Sequence, residues 1–196
     1  MQKKSIVLLT LLGAFVTMWT IACSNQSSAD NGPTEKDSTA LVKRGEYLVM
    51  TTGCDDCHSP KRMGPMGPEI IPELRLSGFQ ENDILPPVDK AAVAKGWSLF
   101  APGQTAAVGP WGVSYAANIT SDATGIGNWS EAQFMKSIRK GLYKGLDEGR
   151  PLLPPMPWFV LKNMTDEDLK AMYYYLKTTK PVTNRVPGPQ PLDVLK

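Results

Sequence analysis

The spacing of apolar residues predicts a helix near the start of the largest globular stretch. Apolar or small residues recur at helical intervals, with charged residues between them, at Leu41, Gly45, Leu48 and Val49. Gly45 has two interpretations: a tolerated helix glycine, at about 1 kcal/mol relative to alanine, or a point where a second helix crosses at close range. We favour the crossing, with Tyr173 or Tyr175 as the aromatic partner.

The last helix is predicted from its starting residues. Thr165 is an expected N-cap, and Asp168 is placed to reach back to it as in a capping box. Met164 and Leu169 fit a hydrophobic staple across the same start. The helix then presents one apolar stripe, formed by Leu169, Met172, Tyr173 and Leu176.

A third helix is predicted to begin at Ser130, with Gln133 completing a second capping box. Its buried stripe contains Phe134, Met135, Ile138 and Leu142. Residues 59–117 are rich in proline and glycine, with one weak helical pattern near 89–95, and no segment alternates convincingly as a strand. The sequence therefore predicts an all-α domain with long loops and terminal helices that cross.

The first residues predict export from the cytoplasm. Two lysines precede an uncharged, mainly apolar run, the layout of a signal peptide over 1–22. The following Cys23 stands in a lipobox-like sequence, which predicts a lipoprotein anchored to a membrane and facing the periplasm or the cell exterior. An uncleaved membrane anchor and ordinary cleavage with Cys23 as a free thiol are the alternatives. Residues 23–38 predict a flexible tether, 39–182 one domain, and 183–196 a loosely ordered proline-rich tail.

Charge excludes one class of partner. The chain has 21 basic and 19 acidic residues, and removal of 1–22 leaves 19 of each. A near-neutral mature protein predicts no nucleic-acid partner.

The chemistry of the chain centres on Cys54, Cys57 and His58, which form a C-x-x-C-H motif. This is the attachment signature of c-type haem: two thiols bond covalently to the porphyrin, and the histidine ligates iron. A zinc site would need two more cysteine or histidine ligands, whereas His58 is the only histidine and Cys23 the only other cysteine. A redox dithiol would favour a βαβ pattern, which is not found.

Methionine is the expected second iron ligand, because the chain has no second histidine. Seven methionines follow the signal: Met50, Met63, Met66, Met135, Met156, Met164 and Met172. Met156 lies between two predicted helices in a segment stiffened by prolines, which suits a weak thioether ligand. Ordinary loop packing of Met156 is the alternative. Four aromatic residues have open roles in lining the haem or packing the core: Trp97, Trp111, Tyr115 and Trp129.

Several motifs in the same order resemble class I cytochrome c domains. They include Gly45-Glu46-Tyr47-Leu48, the Cys54–His58 motif, Asn118-Ile119-Thr120, Pro155-Met156-Pro157 and Thr165-Asp166-Glu167-Asp168-Leu169. The nearest resemblance is to the cytochrome c subunits that accompany periplasmic dehydrogenases, over most of residues 41–182. Those subunits often carry two or three haem motifs, whereas this chain has one. The resemblance implies a cytochrome c fold, haem c as the cofactor and Met156 as the distal ligand, and the single C-x-x-C-H motif predicts one haem.

These features lead to three hypotheses about function. The first is a single-haem electron carrier between redox partner proteins, with no enzymatic activity and no small-molecule substrate. The second is an electron-transfer subunit of a membrane-associated dehydrogenase or oxidase complex. The third, a haem enzyme or gas sensor, requires an open position on iron.

Overall fold

The structure is a computed structural model that describes residues 35–195, so the predicted signal, Cys23 and the first part of the tether lie outside the described residues. Six α-helices occur within this range: α1 (Glu35–Thr51), α2 (Cys54–His58), α3 (Lys90–Ala94), α4 (Glu131–Lys140), α5 (Trp158–Leu161) and α6 (Asp166–Thr178). Three short 3-10 turns accompany them, at Pro72–Leu74, Tyr143–Gly145 and Leu192–Val194. None of the helices in this range is long and apolar enough to cross a membrane.

The crossing of α1 and α6 organises the core. These helices make the most extensive contact between elements of the described chain, and α1 buries Leu48 and Val49 in it. A Cβ at Gly45 would lie 2.7 Å from Tyr175 Cβ and closer still to the carbonyl oxygen of Ala171. The predicted close crossing at Gly45 is therefore confirmed, with Tyr175 as the aromatic partner.

Both predicted N-caps are confirmed. Thr165 accepts a hydrogen bond from the Asp168 amide at 3.1 Å, and Ser130 accepts one from the Gln133 amide at 3.2 Å. The reciprocal side-chain halves of the two capping boxes differ from the prediction. Asp168 instead accepts from Arg44 of α1, and Gln133 donates to the Lys144 carbonyl. Both side chains therefore form hydrogen bonds with residues outside their own helices.

The all-α prediction is wrong in detail, because the loop region contains five short strands in two antiparallel sheets. One sheet pairs β1 (Lys61–Gly64) with β2 (Gly67–Ile70), and the other has the order β3 (Leu99–Phe100), β4 (Ala106–Gly109), β5 (Gly112–Tyr115). All four residues of β4 are buried, so the strand lacks the polar alternation that identifies a half-exposed strand. The weak helical pattern near 89–95 does form α3, capped by Asp89.

Both ends of the predicted domain extend further than expected. Helix α1 begins at Glu35, within the segment predicted to be a tether. Beyond position 182, Asn184 is buried and donates to the carbonyls of Ser77 and Phe79, and Gln190 forms a β-bridge with Val113. The proline content predicts a loosely ordered tail, whereas hydrogen bonds fix Asn184 and Gln190 to the rest of the domain. These residues are held by polar side chains and backbone rather than by apolar packing.

Candidate haem-binding site

The C-x-x-C-H motif forms the one-turn helix α2, directly after α1. Gly53 separates the two helices in the left-handed conformation, with φ 75°, and glycine adopts this conformation without steric cost. Residues three apart on a helix lie on the same side. Helix α2 therefore presents the Cys54 and Cys57 thiols on one side, with His58 at its end.

A backbone carbonyl orients His58. Its Nδ1 lies 2.7 Å from the oxygen of Ala117, and a carbonyl can only accept, so Nδ1 carries the hydrogen. This tautomer leaves Nε2 with a free lone pair, the form in which imidazole binds a metal. Burial lowers the pKa of His58, and this effect outweighs the smaller raising effects of the Ala117 hydrogen bond and the Asp55 charge. The lowered pKa also favours the neutral imidazole.

Gly78 allows the chain to approach this carbonyl. Its amide donates to the His58 carbonyl at 2.7 Å, and a Cβ at this position would lie 2.6 Å from the Ala117 oxygen. The segment from Leu76 to Phe79 thus bonds to the His58 carbonyl on one side and to the backbone on either side of Ala117 on the other. Sequence reasoning missed both Ala117 and Gly78, because a backbone acceptor has no side-chain signature.

The two thiols do not have the character of a reactive dithiol. Both cysteines are free and partly buried, and burial is the main cause that raises the pKa of each thiol. Redox-active C-x-x-C pairs have lowered thiol pKa values instead. Within residues 35–195 no cluster of three or more His, Cys, Asp or Glu residues could hold a metal ion, so the zinc alternative gains no support there.

Polar contacts fix α2 to the rest of the domain. The Asp55 carboxylate accepts two hydrogen bonds from Arg75, at 3.0 and 2.7 Å, and one from Ser59 at 2.6 Å. Arg75 also donates to the Tyr175 hydroxyl of α6 at 2.6 Å. The Lys61 ammonium donates to three carbonyls at the end of α2 and to one at Gly103. Lys61 therefore caps this helix from the following strand.

Met156 lies on the loop between α4 and α5, after the cis peptide bond Pro154–Pro155. Its side chain is partly buried and packs on the same hydrophobic cluster as Cys54. The Met156 amide donates to the Leu153 carbonyl within the loop, and the Ser114 hydroxyl of β5 donates to the Pro154 carbonyl, so the loop is held by its own turn and by the neighbouring strand. The structure thus brings Met156 and Cys54, the first cysteine of the motif, to one core cluster.

The other methionines have different surroundings. Met50, Met63 and Met66 are 59%, 80% and 97% exposed, and Met172 is buried in the helix core. Met135 packs beside that core from helix α4, and Met164 packs beside it from the bend between α5 and α6. Met156 and Met164 are both partly buried and lie outside the helices, and of the two only Met156 stands in the proline-rich segment between α4 and α5.

The aromatic candidates fall into separate environments. Trp129 packs on the main cluster and Tyr115 on a second one formed around Val93, Val108 and Val113. Trp111 donates to the Ser114 hydroxyl at 3.2 Å, whereas Trp97 is 66% exposed. Trp129 and Tyr115 therefore each pack on a hydrophobic cluster, and a role in lining the haem stays a prediction for the four aromatic residues.

The donor set fits a c-type haem. It comprises two partly buried thiols three residues apart, an imidazole whose free nitrogen is fixed by its other hydrogen bond, and a thioether on a braced loop. Such nitrogen and sulfur ligands hold haem iron in electron-transfer proteins.

Comparison with known proteins identifies the class. A family model described as cytochrome c matches residues 42–180, so the chain belongs to the cytochrome c family. Membership implies the cytochrome c fold, haem c as the cofactor and electron transfer as the class of function.

Three relatives indicate a narrower class within this family, since their names are those of dehydrogenase subunits. The chain is 39% identical over 154 residues to a nicotinate dehydrogenase subunit of Pseudomonas putida, with 78% of this chain and 10% of that protein covered. It is 33% identical over 150 residues to the gluconate 2-dehydrogenase cytochrome c subunit of Pantoea cypripedii, covering 76% and 25%. It is 29% identical over 180 residues to the fructose dehydrogenase cytochrome subunit of Gluconobacter japonicus, covering 90% and 29%. These names confirm the resemblance to cytochrome c subunits of dehydrogenases, although the chain spans less than a third of each relative.

Proposed function

We propose that this chain carries one haem c and transfers electrons between protein partners, with no catalytic activity and no small-molecule substrate of its own. Cys54 and Cys57 attach the haem covalently, and His58 and Met156 are the proximal and distal ligands. The observation that carries the proposal is the hydrogen bond from His58 Nδ1 to the Ala117 carbonyl. It leaves a metal-binding nitrogen free directly beside the thiol pair.

The residues around the site favour the function of an electron carrier over that of an enzyme. When bound, haem would supply a one-electron Fe(III)/Fe(II) couple, and methionine ligation raises its potential. Ala117 holds His58 in one tautomer, and the braced proline loop presents the Met156 thioether. With His58 and Met156 both holding the iron of a bound haem, no open position would remain for a substrate.

We also propose that the protein is exported and anchored at the outer face of a bacterial membrane. The support comes from the sequence: two lysines before an uncharged, mainly apolar run within residues 1–22, followed by a lipobox-like sequence that ends at Cys23. A flexible segment after Cys23 would let the cytochrome domain reach its redox partners.

A second candidate function is that of an electron-transfer subunit in a membrane-associated dehydrogenase or oxidase complex. The relatives named as cytochrome subunits of fructose and gluconate dehydrogenases favour it. Stable co-purification of the full chain with a catalytic partner would distinguish this subunit from a freely diffusing carrier.

An optical spectrum tests the proposal directly. The full chain, matured in a host that attaches haem, is examined in both redox states, with carbon monoxide added to the reduced form. We expect a low-spin spectrum, the weak far-red band of methionine-ligated Fe(III), one haem per chain and no response to carbon monoxide. A high-spin spectrum with ready carbon monoxide binding would contradict the closed carrier and favour catalysis or gas sensing.

The Met156→Ala variant tests the distal ligand. We expect loss of the far-red band, carbon monoxide binding and a lower reduction potential, because water or another weak ligand replaces the thioether. Met63→Ala is the matched control, since its side chain is 80% exposed, and its spectrum should be unchanged. A Met156→Ala protein that keeps the band would rule out Met156 as the ligand.

A further inference from the structure

The acidic residue directly after the first attachment cysteine is held in a partly buried ion pair. Arg75 donates from Nε and Nη2 to the two carboxylate oxygens of Asp55, at 3.0 and 2.7 Å. The Asp55 side chain is only 14% exposed and that of Arg75 31%. A two-point contact of this kind has defined geometry, unlike an ordinary surface ion pair.

Both partners of this pair are anchored independently. The Ser59 hydroxyl donates to Asp55, and the Leu76 amide donates in turn to that hydroxyl at 2.9 Å. Arg75 donates to the Tyr175 hydroxyl, 100 positions away in the chain. The two charges are therefore held at a constant position relative to α2 and to His58 at its end.

The field of the carboxylate extends to the proximal histidine. Asp55 and His58 are three positions apart in the five-residue helix α2, so their backbones are separated by about 4.5 Å along the helix axis. Charges in partly buried positions are screened less than charges in water. A charge that acts on the imidazole also acts on a metal bound to it.

We propose that Asp55 and Arg75 form an internally neutral pair that adjusts the reduction potential of the haem iron. This inference rests on the proposed function and goes beyond it, because it assigns a role to two residues that do not ligate the iron. Ferric iron carries one more positive charge than ferrous iron, so an unpaired carboxylate favours the ferric state and an unpaired guanidinium the ferrous state. The pair sets the potential between these two limits.

A purely structural role predicts a different pattern. If the pair only joins α2 to Arg75 and Tyr175, removal of either partner should weaken folding without a defined direction of change in potential. A role through charge requires that the two single variants move the potential in opposite directions. The sign of the shift therefore separates the two explanations.

The test uses the full haem-loaded chain and four variants, titrated spectroelectrochemically at one pH. Asp55→Asn should raise the potential, and Arg75→Gln should lower it. Each should change the ratio of oxidised to reduced protein at a fixed ambient potential by about threefold or more, where tenfold corresponds to about 59 mV for one electron. The double variant should return close to the wild-type potential, and Arg75→Lys should stay nearer to wild type than Arg75→Gln because it keeps the charge.

A second ion pair provides the matched control. Arg44 of α1 contacts Asp168 of α6 through the same two guanidinium nitrogens, at 2.9 and 3.3 Å, away from the attachment helix. Arg44→Gln should leave the potential unchanged. If Arg75→Gln does not mature, the sign of the Asp55→Asn shift decides: a rise in potential, with Arg75→Lys close to wild type, supports the charge role, and a fall or no change overturns it.

Failure of this inference differs from failure of the proposed function. Opposite shifts with an intact low-spin spectrum support the charge role, whereas shifts of the same sign, or none, overturn it while the carrier function stands. Absence of attached haem in the wild-type chain, or an open iron site, would overturn the proposed function itself.

Discussion

The crossing of α1 and α6 makes a quantitative prediction at Gly45. In an exposed helix, glycine to alanine would stabilise the protein by about 1 kcal/mol through helix propensity. Here the added methyl group would meet the backbone of Ala171 and lie 2.7 Å from Tyr175 Cβ. These atoms belong to the backbone and first carbon of a packed helix, so they cannot move aside as a flexible side chain would.

Overpacking of a well-packed core typically costs about 1–3 kcal/mol, and occasionally more. The backbone contact places Gly45→Ala at or above the upper end of this range, and the propensity gain offsets about 1 kcal/mol of it. We therefore expect a net loss of about 2 kcal/mol in the free energy of unfolding. For a domain of this size that corresponds to a Tm lower by about 4–8 °C.

The measurement is reversible urea denaturation of the haem-loaded full chain, followed by far-ultraviolet circular dichroism and Soret absorbance. Glu46→Ala is the matched control, because Glu46 is the next residue of the same helix and its side chain is exposed. Its unfolding free energy should stay within about 0.5 kcal/mol of wild type. A Gly45→Ala protein as stable as wild type, or more stable, would refute the close crossing.

Two further predictions concern polar contacts. Thr165→Ala should lower the free energy of unfolding by about 1 kcal/mol in the same urea assay, because the Asp168 amide loses its capping acceptor; an unchanged midpoint would contradict the capping role. Hydrogen bonds from Thr124 and Thr183 lower the pKa of Asp122. A lowered carboxyl pKa contributes stability above its unfolded value, which is lost as pH falls through the folded value, so unfolding midpoints should decline from about pH 5 downwards. Asp122→Asn should flatten that decline, and a profile identical to wild type would refute the assignment.

Local sequence was sufficient to predict several features of this protein. The C-x-x-C-H motif needs only one helical turn to present its thiols together, and the N-caps at Ser130 and Thr165 depend on residues three positions apart. The Gly45 crossing was also predictable, because glycine in an otherwise good helix indicates a close neighbour. Each inference depends on the identity and spacing of adjacent side chains.

Other features lay beyond local reasoning. The strands in residues 61–115 are two to four residues long and were missed because β4 is buried throughout and shows no alternation. The capping-box side chains of Gln133 and Asp168 took different partners, since Lys144 and Arg44 are available only in the folded chain.

The proposed chemistry was predicted from the order of residues alone: two thiols beside the single histidine for haem attachment, and Met156 on a proline-rich loop as the second iron ligand. How that chemistry is held depends on the tertiary fold. The Ala117 carbonyl that orients His58 is 59 residues away, and Arg75, which neutralises Asp55, is 20 residues away. A backbone acceptor has no side-chain signature, and an arginine can pair with any acidic residue that the fold brings near. Partners of this kind are determined by the path of the folded chain through space, which local sequence does not specify.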